Sequence, residues 1–174
     1  GASANDAPNK SRLAGRGSDF WKIKLDYARL QRLGKSWNFL LATSAQYATD
    51  PLLAGEEFNF GGENFGRGYG TSEITGDYGI AAKAELHVNF PVGWAYFNHW
   101  QAFGFYDFGA TWQRDRGANE SNEPDTLASY GGGIRTQLTQ NLAVDVTLAK
   151  PLQGVEEQGG EDDAEVYIRV RNKF

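Results

Sequence analysis

Polar and apolar residues alternate with a period of two along most of this chain, most clearly at its end. Val166, Ile168, Val170 and Phe174 share one parity and Tyr167, Arg169, Arg171 and Lys173 the other. On a pleated strand that sets an apolar face against a basic one. Leu142, Val144, Val146 and Leu148 oppose Ala143, Asp145, Thr147 and Ala149, and Tyr130, Ile134 and Leu138 oppose Ser129, Arg135 and Gln137. Upstream, Trp100, Tyr106, Phe108 and Trp112 oppose Gln101, Asp107, Thr111 and Gln113, while Tyr78, Ile80, Leu86, Val88 and Phe90 oppose Lys83, Glu85, His87 and Asn89. Trp37, Phe39, Leu41 and Tyr47 face away from Asn38, Ser44 and Gln46, and Trp21, Ile23, Leu25 and Tyr27 from Lys22, Lys24 and Asp26. The pattern predicts seven strands, 20–30, 37–47, 78–90, 100–113, 127–138, 142–149 and 166–174. At roughly 9 to 14 residues they are long for a soluble sheet and suited to a tilted bilayer crossing.

The connections supply an orientation. Leu33-Gly34-Lys35 and Thr139-Gln140-Asn141 read as tight turns, with a longer turn around Pro91-Val92-Gly93-Trp94 on the same side. Segments 1–19, 48–77, 114–125 and 153–163 are long, polar and rich in Gly, Asn, Asp and Glu, and all fall on the other side. Outer-membrane barrels pair short periplasmic turns with long external loops, so 1–19 is expected to be an external loop and the chain to end on the periplasmic side. Trp21, Trp37, Tyr47, Trp100 and Trp112 sit near strand ends, where aromatic girdles belong.

Composition narrows the field further. The 174 residues suit one domain or part of one. The opening Gly-Ala-Ser-Ala-Asn lacks a start methionine and reads as a processed or truncated product. No cysteine is present, which excludes disulfides, thiol nucleophiles and thiolate metal sites. Seventeen basic against 22 acidic residues, a net charge of −5, argue against nucleic-acid binding. No apolar run is long enough for a transmembrane helix, which leaves a barrel open. A soluble lipocalin-like or streptavidin-like barrel would turn its apolar face inward around a ligand. The charged opposite face, with Lys22, Lys24, Asp26, Lys83, Glu85, Asp107, Arg135, Asp145, Arg169, Arg171 and Lys173, favours lipid as the cover for the apolar one.

Segment 48–77 is too long for a plain connection. Its stretch Glu56 to Gly70 interleaves aromatics with glycines, the composition of a folded loop whose rings pack and whose backbone needs unusual torsions. It is expected to fold into the barrel lumen, placing Arg67, flanked by two glycines, against a carboxylate of the wall, with Asp107 the best candidate acceptor. His87, mid-strand, and His99, assigned to a turn, have no ligand spacing and read as satisfied polar residues. Glu56-Glu57 and Glu161-Asp162-Asp163 read as solvated loop tips rather than metal sites. Gly131-Gly132-Gly133 falls inside a strand, where glycine allows close approach or curvature. No catalytic constellation is visible, and the chain is expected to be no enzyme and to need no metal or cofactor.

Several segments together resemble a known family. Phe58-Asn59-Phe60-Gly61-Gly62-Glu63-Asn64-Phe65-Gly66-Arg67-Gly68-Tyr69 resembles the sixth external loop of the two-partner secretion transporters, the TpsB family within the BamA superfamily. Phe105-Tyr106-Asp107-Phe108-Gly109 is similar to that superfamily's aromatic-x-Asp-x-Gly strand motif, and Leu148-Ala149-Lys150-Pro151-Leu152 to the close of the TpsB penultimate strand. Leu30-Gln31-Arg32-Leu33 and Asp50-Pro51-Leu52-Leu53 resemble the strand end and loop start that precede the arginine motif. The usual Val-Arg-Gly-Tyr core reads Gly66-Arg67-Gly68-Tyr69 here.

The resemblance implies an all-β antiparallel transmembrane barrel, of which residues 1–174 would be the C-terminal seven of about sixteen strands. It implies an outer-membrane polypeptide translocator that exports a secreted partner. Arg67, Gly68, Tyr69, Asp107 and Gly109 would lock the loop; Phe60, Gly61, Gly62 and Asn64 would scaffold it; Lys83, Glu85, Arg135, Arg169 and Arg171 would line the lumen. Phe174 would be the C-terminal assembly signal read by the barrel-assembly machinery. Lipid and lipopolysaccharide would surround the barrel, and its remaining strands would come from a missing segment or a second chain. The alternative within the superfamily is a BamA-like factor that assembles other outer-membrane proteins at its sheet edge.

Overall fold

The computed structural model describes residues 20–90, 99–114, 123–139, 141–152 and 164–173. The strands in chain order are β1 (Lys22–Arg32), β2 (Trp37–Ala48), β3 (Phe58–Phe60), β4 (Ile74–Gly76), β5 (Tyr78–Phe90), β6 (His99–Trp112), β7 (Asp125–Gln137), β8 (Leu142–Pro151) and β9 (Glu165–Asn172). All seven long strands expected from the alternation form one antiparallel sheet in the order β1-β2-β5-β6-β7-β8-β9. Two details differ from expectation. His99 opens β6 instead of lying in a turn, and segment 48–77 contains its own hairpin, β3 paired with β4. Three-residue strands carry too little alternation to be seen in sequence.

The sheet puts its apolar parity outward. Ile23, Leu25, Tyr106, Ile134, Ile168 and Val170 are exposed, whereas Ser44, Gln46, Glu85, His87, Asp107 and Ser129 are buried on the opposite face. A ligand-binding soluble barrel would show the reverse. The buried face carries the 48–77 loop, which touches Lys22 on β1 and Arg169 on β9. Those strands lie six steps of about 4.8 Å apart across the sheet, so the sheet wraps around the loop. Its β1 and β9 edges are unpaired with each other among the described residues.

Aromatic side chains mark both ends of the outer face. Tyr78 stacks on its register partner Trp112 at 5.6 Å between ring centroids, with Tyr47 beside them at 6.0 Å. At the other end Phe90 stacks on Trp100 at 4.9 Å. Tyr78 and Phe90 bound the 13-residue β5; at about 3.4 Å per residue and a tilt of about 40°, the two rows lie ~30 Å apart along a membrane normal. That is close to a hydrocarbon core thickness.

Two rings break the inward-polar rule. Phe103 and Phe105 are buried on the inner face, opposite Gly133 and Gly131 of β7. A Cβ on Gly131 would stand 2.1 Å from the Leu148 carbonyl oxygen and 2.7 Å from the Phe105 ring, and one on Gly133 would stand 2.7 Å from the Phe103 ring. The glycine run therefore makes room for two rings laid flat along β7. Gly131→Val is expected to lower stability by about 1–3 kcal/mol through overpacking. Gly104→Ala, whose added Cβ meets nothing closer than 3.8 Å, is expected to be near neutral. Thermal unfolding of the detergent-solubilised protein, read by heat-modifiable gel mobility, separates the two.

Candidate functional site

The loop is shaped by its own backbone before the wall grips it. Gly61 and Gly62 accept φ angles of +122° and +90°, and their N–H groups donate to the Phe65 and Gly66 carbonyls at 3.1 and 3.3 Å. The Tyr69 N–H returns to the Gly66 carbonyl at 3.0 Å, closing a knot that presents Arg67. Gly66 has φ +82°, and a Cβ there would lie 2.6 Å from the Phe60 ring. This accounts for the missing hydrophobic residue before the arginine: the Phe60 ring fills that space. The same ring lies against Gly109 of β6, where a Cβ would come within 2.2 Å of it.

Arg67 and Asp107 meet as expected. The guanidinium donates to both Asp107 oxygens, from Nε at 2.9 Å and Nη2 at 2.7 Å, in the planar two-bond geometry that arginine alone offers a carboxylate. The backbone N–H groups of Gly66 and Arg67 donate to the same carboxylate at 3.2 and 3.1 Å. Asp107 is fully buried and Arg67 is 5% exposed.

The alternation singles out Asp107 as acceptor, but the structure adds a second. Glu85, assigned to the lumen wall from sequence, takes the third arginine nitrogen at 2.6 Å. Its other oxygen receives His87 Nε2 at 2.8 Å and Arg135 Nη2 at 3.1 Å. The two guanidinium groups lie over the two inward rings, Arg67 3.4 Å from the Phe105 centroid and Arg135 3.8 Å from that of Phe103. Rings that break the alternation are thus platforms for cations.

The remaining expected residues divide. Lys83 Nζ donates to the Asn64 carbonyl at 3.0 Å, and Arg169 pairs with Glu63, so both hold the loop tip. Arg171 instead pairs with Asp145 on its neighbouring strand at 2.8 Å. Gly68 packs so closely that a Cβ would come within 2.7 Å of the Lys150–Pro151 peptide, and Tyr69 donates its hydroxyl to the Ala128 carbonyl at 2.8 Å. Phe174, Pro91 to Trp94, and Glu161 to Asp163 lie outside the described residues.

Sequence reasoning passed over the base of the loop. Fully buried Asp77 accepts the Leu52 and Arg114 N–H groups at 2.7 and 2.6 Å, joining the loop's start to the end of β6. An aspartate followed by an aromatic strand gives no distinctive signal. Lys22 reaches Glu56 at 2.5 Å, and that contact holds the exposed Glu56 carboxyl below the ordinary carboxylate range.

An antiparallel sheet with an apolar outer face, wrapped around a loop held by a buried arginine, agrees with the barrel the sequence resembles. The family described as haemolysin secretion/activation protein ShlB/FhaC/HecB matches residues 1–136, and the chain belongs to it. Among solved structures, CdiB from Escherichia coli superposes with a TM-score of 0.68 at 22% identity, over 88% of this chain. The chain spans 27% of that protein's length. No curated protein sequence matches it.

Asp107→Ala is expected to cost about 3–5 kcal/mol, because it strands Arg67 as a buried charge. Arg169→Ala, which removes an ion pair whose partners are both about half exposed, is expected to cost at most ~1 kcal/mol. Thermal unfolding of the two variants measures the difference.

Proposed function

We propose that this chain is the C-terminal part of the barrel of an outer-membrane polypeptide translocator, exporting a secreted partner protein through the lumen without nucleotide hydrolysis. Residues 48–77 act as its gate, with Arg67 as the latch. The observation that carries this reading is the buried Arg67–Asp107–Glu85 cluster, in which one loop side chain binds two carboxylates of the wall. The family match supports an export role. Strands supplied by another segment or chain would pair the β1 and β9 edges, since unpaired backbone groups are costly in lipid. Lipid and lipopolysaccharide would cover the apolar face, and the barrel-assembly machinery would insert the protein.

Two outcomes test the reading. Arg67→Ala is expected to lower secretion of the partner while the protein still reaches the outer membrane, checked by comparing secreted partner with membrane-embedded transporter. Unchanged secretion would remove the gating role. Tyr106→Arg, at mid-strand on the outer face, is expected to cost about 2–4 kcal/mol if that face meets the bilayer midplane. Unfolding in lipid vesicles that showed no loss would place the face in water.

A further inference from the structure

Asp107 and Glu85 differ in what they keep when Arg67 withdraws. Among the described residues, every hydrogen bond to the Asp107 carboxylate originates in Gly66 or Arg67. Glu85 keeps His87 and Arg135 on its second oxygen. Departure of the loop therefore leaves Glu85 with two partners and the Asp107 carboxylate without the cation it has now.

Lys83 stands where a replacement is needed. It is the register partner of Asp107 on the adjacent strand, and both lie on the inner face. Directly opposed residues of an antiparallel pair have Cβ atoms about 4.5–5.5 Å apart, within reach of a lysine stem. With the loop in place, Lys83 Nζ donates to the Asn64 carbonyl at 3.0 Å, with the Phe65 ring 5.1 Å away. Asn64 and Phe65 occupy Lys83, while Gly66 and Arg67 occupy Asp107. These four residues are consecutive, so one withdrawal frees both the lysine and the aspartate. Within the cluster the wall alone then carries Lys83 and Arg135 against Glu85 and Asp107, one cation for each carboxylate.

We propose that Lys83 is a positioning residue that exchanges partners, leaving the Asn64 carbonyl and taking over Asp107 when Arg67 withdraws, so that the loop can be released without leaving the carboxylate unpaired. The proposal rests on reading 48–77 as a moving loop, and it deepens that reading by naming the residue that makes release affordable.

The test is a double-mutant cycle on the full-length transporter in detergent, with the folded fraction followed by heat-modifiable mobility. Arg67→Gln mimics withdrawal of the cation. Lys83→Gln is expected to change the unfolding equilibrium by less than about twofold when Arg67 is present, since a single hydrogen bond to a partly exposed carbonyl is lost. In the Arg67→Gln background the same change is expected to cost about tenfold or more, because Asp107 then has no cation. Lys83→Arg in that background is expected to restore most of the loss. If the doubly substituted protein fails to assemble while Arg67→Gln with Lys83→Arg assembles, the proposal is supported. Additive effects of the two substitutions, or no rescue by arginine, would overturn it. The gating reading is judged separately: it fails if Arg67→Ala leaves secretion unchanged, whatever the cycle reports.

Discussion

A carboxylate buried in a strand needs positive charge and donors brought to it, and Asp107 obtains all of them from the 48–77 loop. Taking such a group out of water is tolerable only with close pairing and well-aimed hydrogen bonds. That requirement makes loop and wall one unit. With the loop in place, the partners of the aspartate side chain come from outside its own strand. The glycines of the loop, the Phe60 ring on Gly109 and the close seat of Gly68 against Lys150–Pro151 all serve to deliver two N–H groups and a guanidinium to that one carboxylate.

Around this pair the inner face departs from the simple polar lining of a channel. Phe103 and Phe105 support the two guanidinium groups, and the glycines of β7 give the rings space. The arrangement couples strands that are not neighbours: Arg135 on β7 reaches Glu85 on β5 across Phe103 of β6. Three strands and the loop thus share one electrostatic cluster. A cluster of that kind fixes geometry more than it adds net stability.

The chain belongs to the ShlB/FhaC/HecB family, and its fold superposes on a part of CdiB amounting to 27% of that protein's length. The outer surface has aromatic rows at its ends and an apolar middle, the pattern of a membrane-facing strand surface. The inner surface is built around a loop. This division explains why a chain of negative mean hydropathy can still present a continuous apolar face.

Much of this was legible in the sequence. A period of two is a local property of strands, so all seven long strands and the outward parity followed from alternation alone. Arg67 stood out because glycines flank it, and Asp107 because its parity faces inward. What only the tertiary structure decided is how parts far apart in sequence meet. Glu85 entered the cluster because β5 neighbours β6, 22 residues from Asp107 along the chain. Phe103 and Phe105 gained their role from glycines on the next strand, and Asp77 from a backbone N–H at the end of β6. Alternation places a side chain on a face, but which cation, ring or carboxylate it meets there depends on register and on the path of the loop, and those are fixed by packing across the sheet.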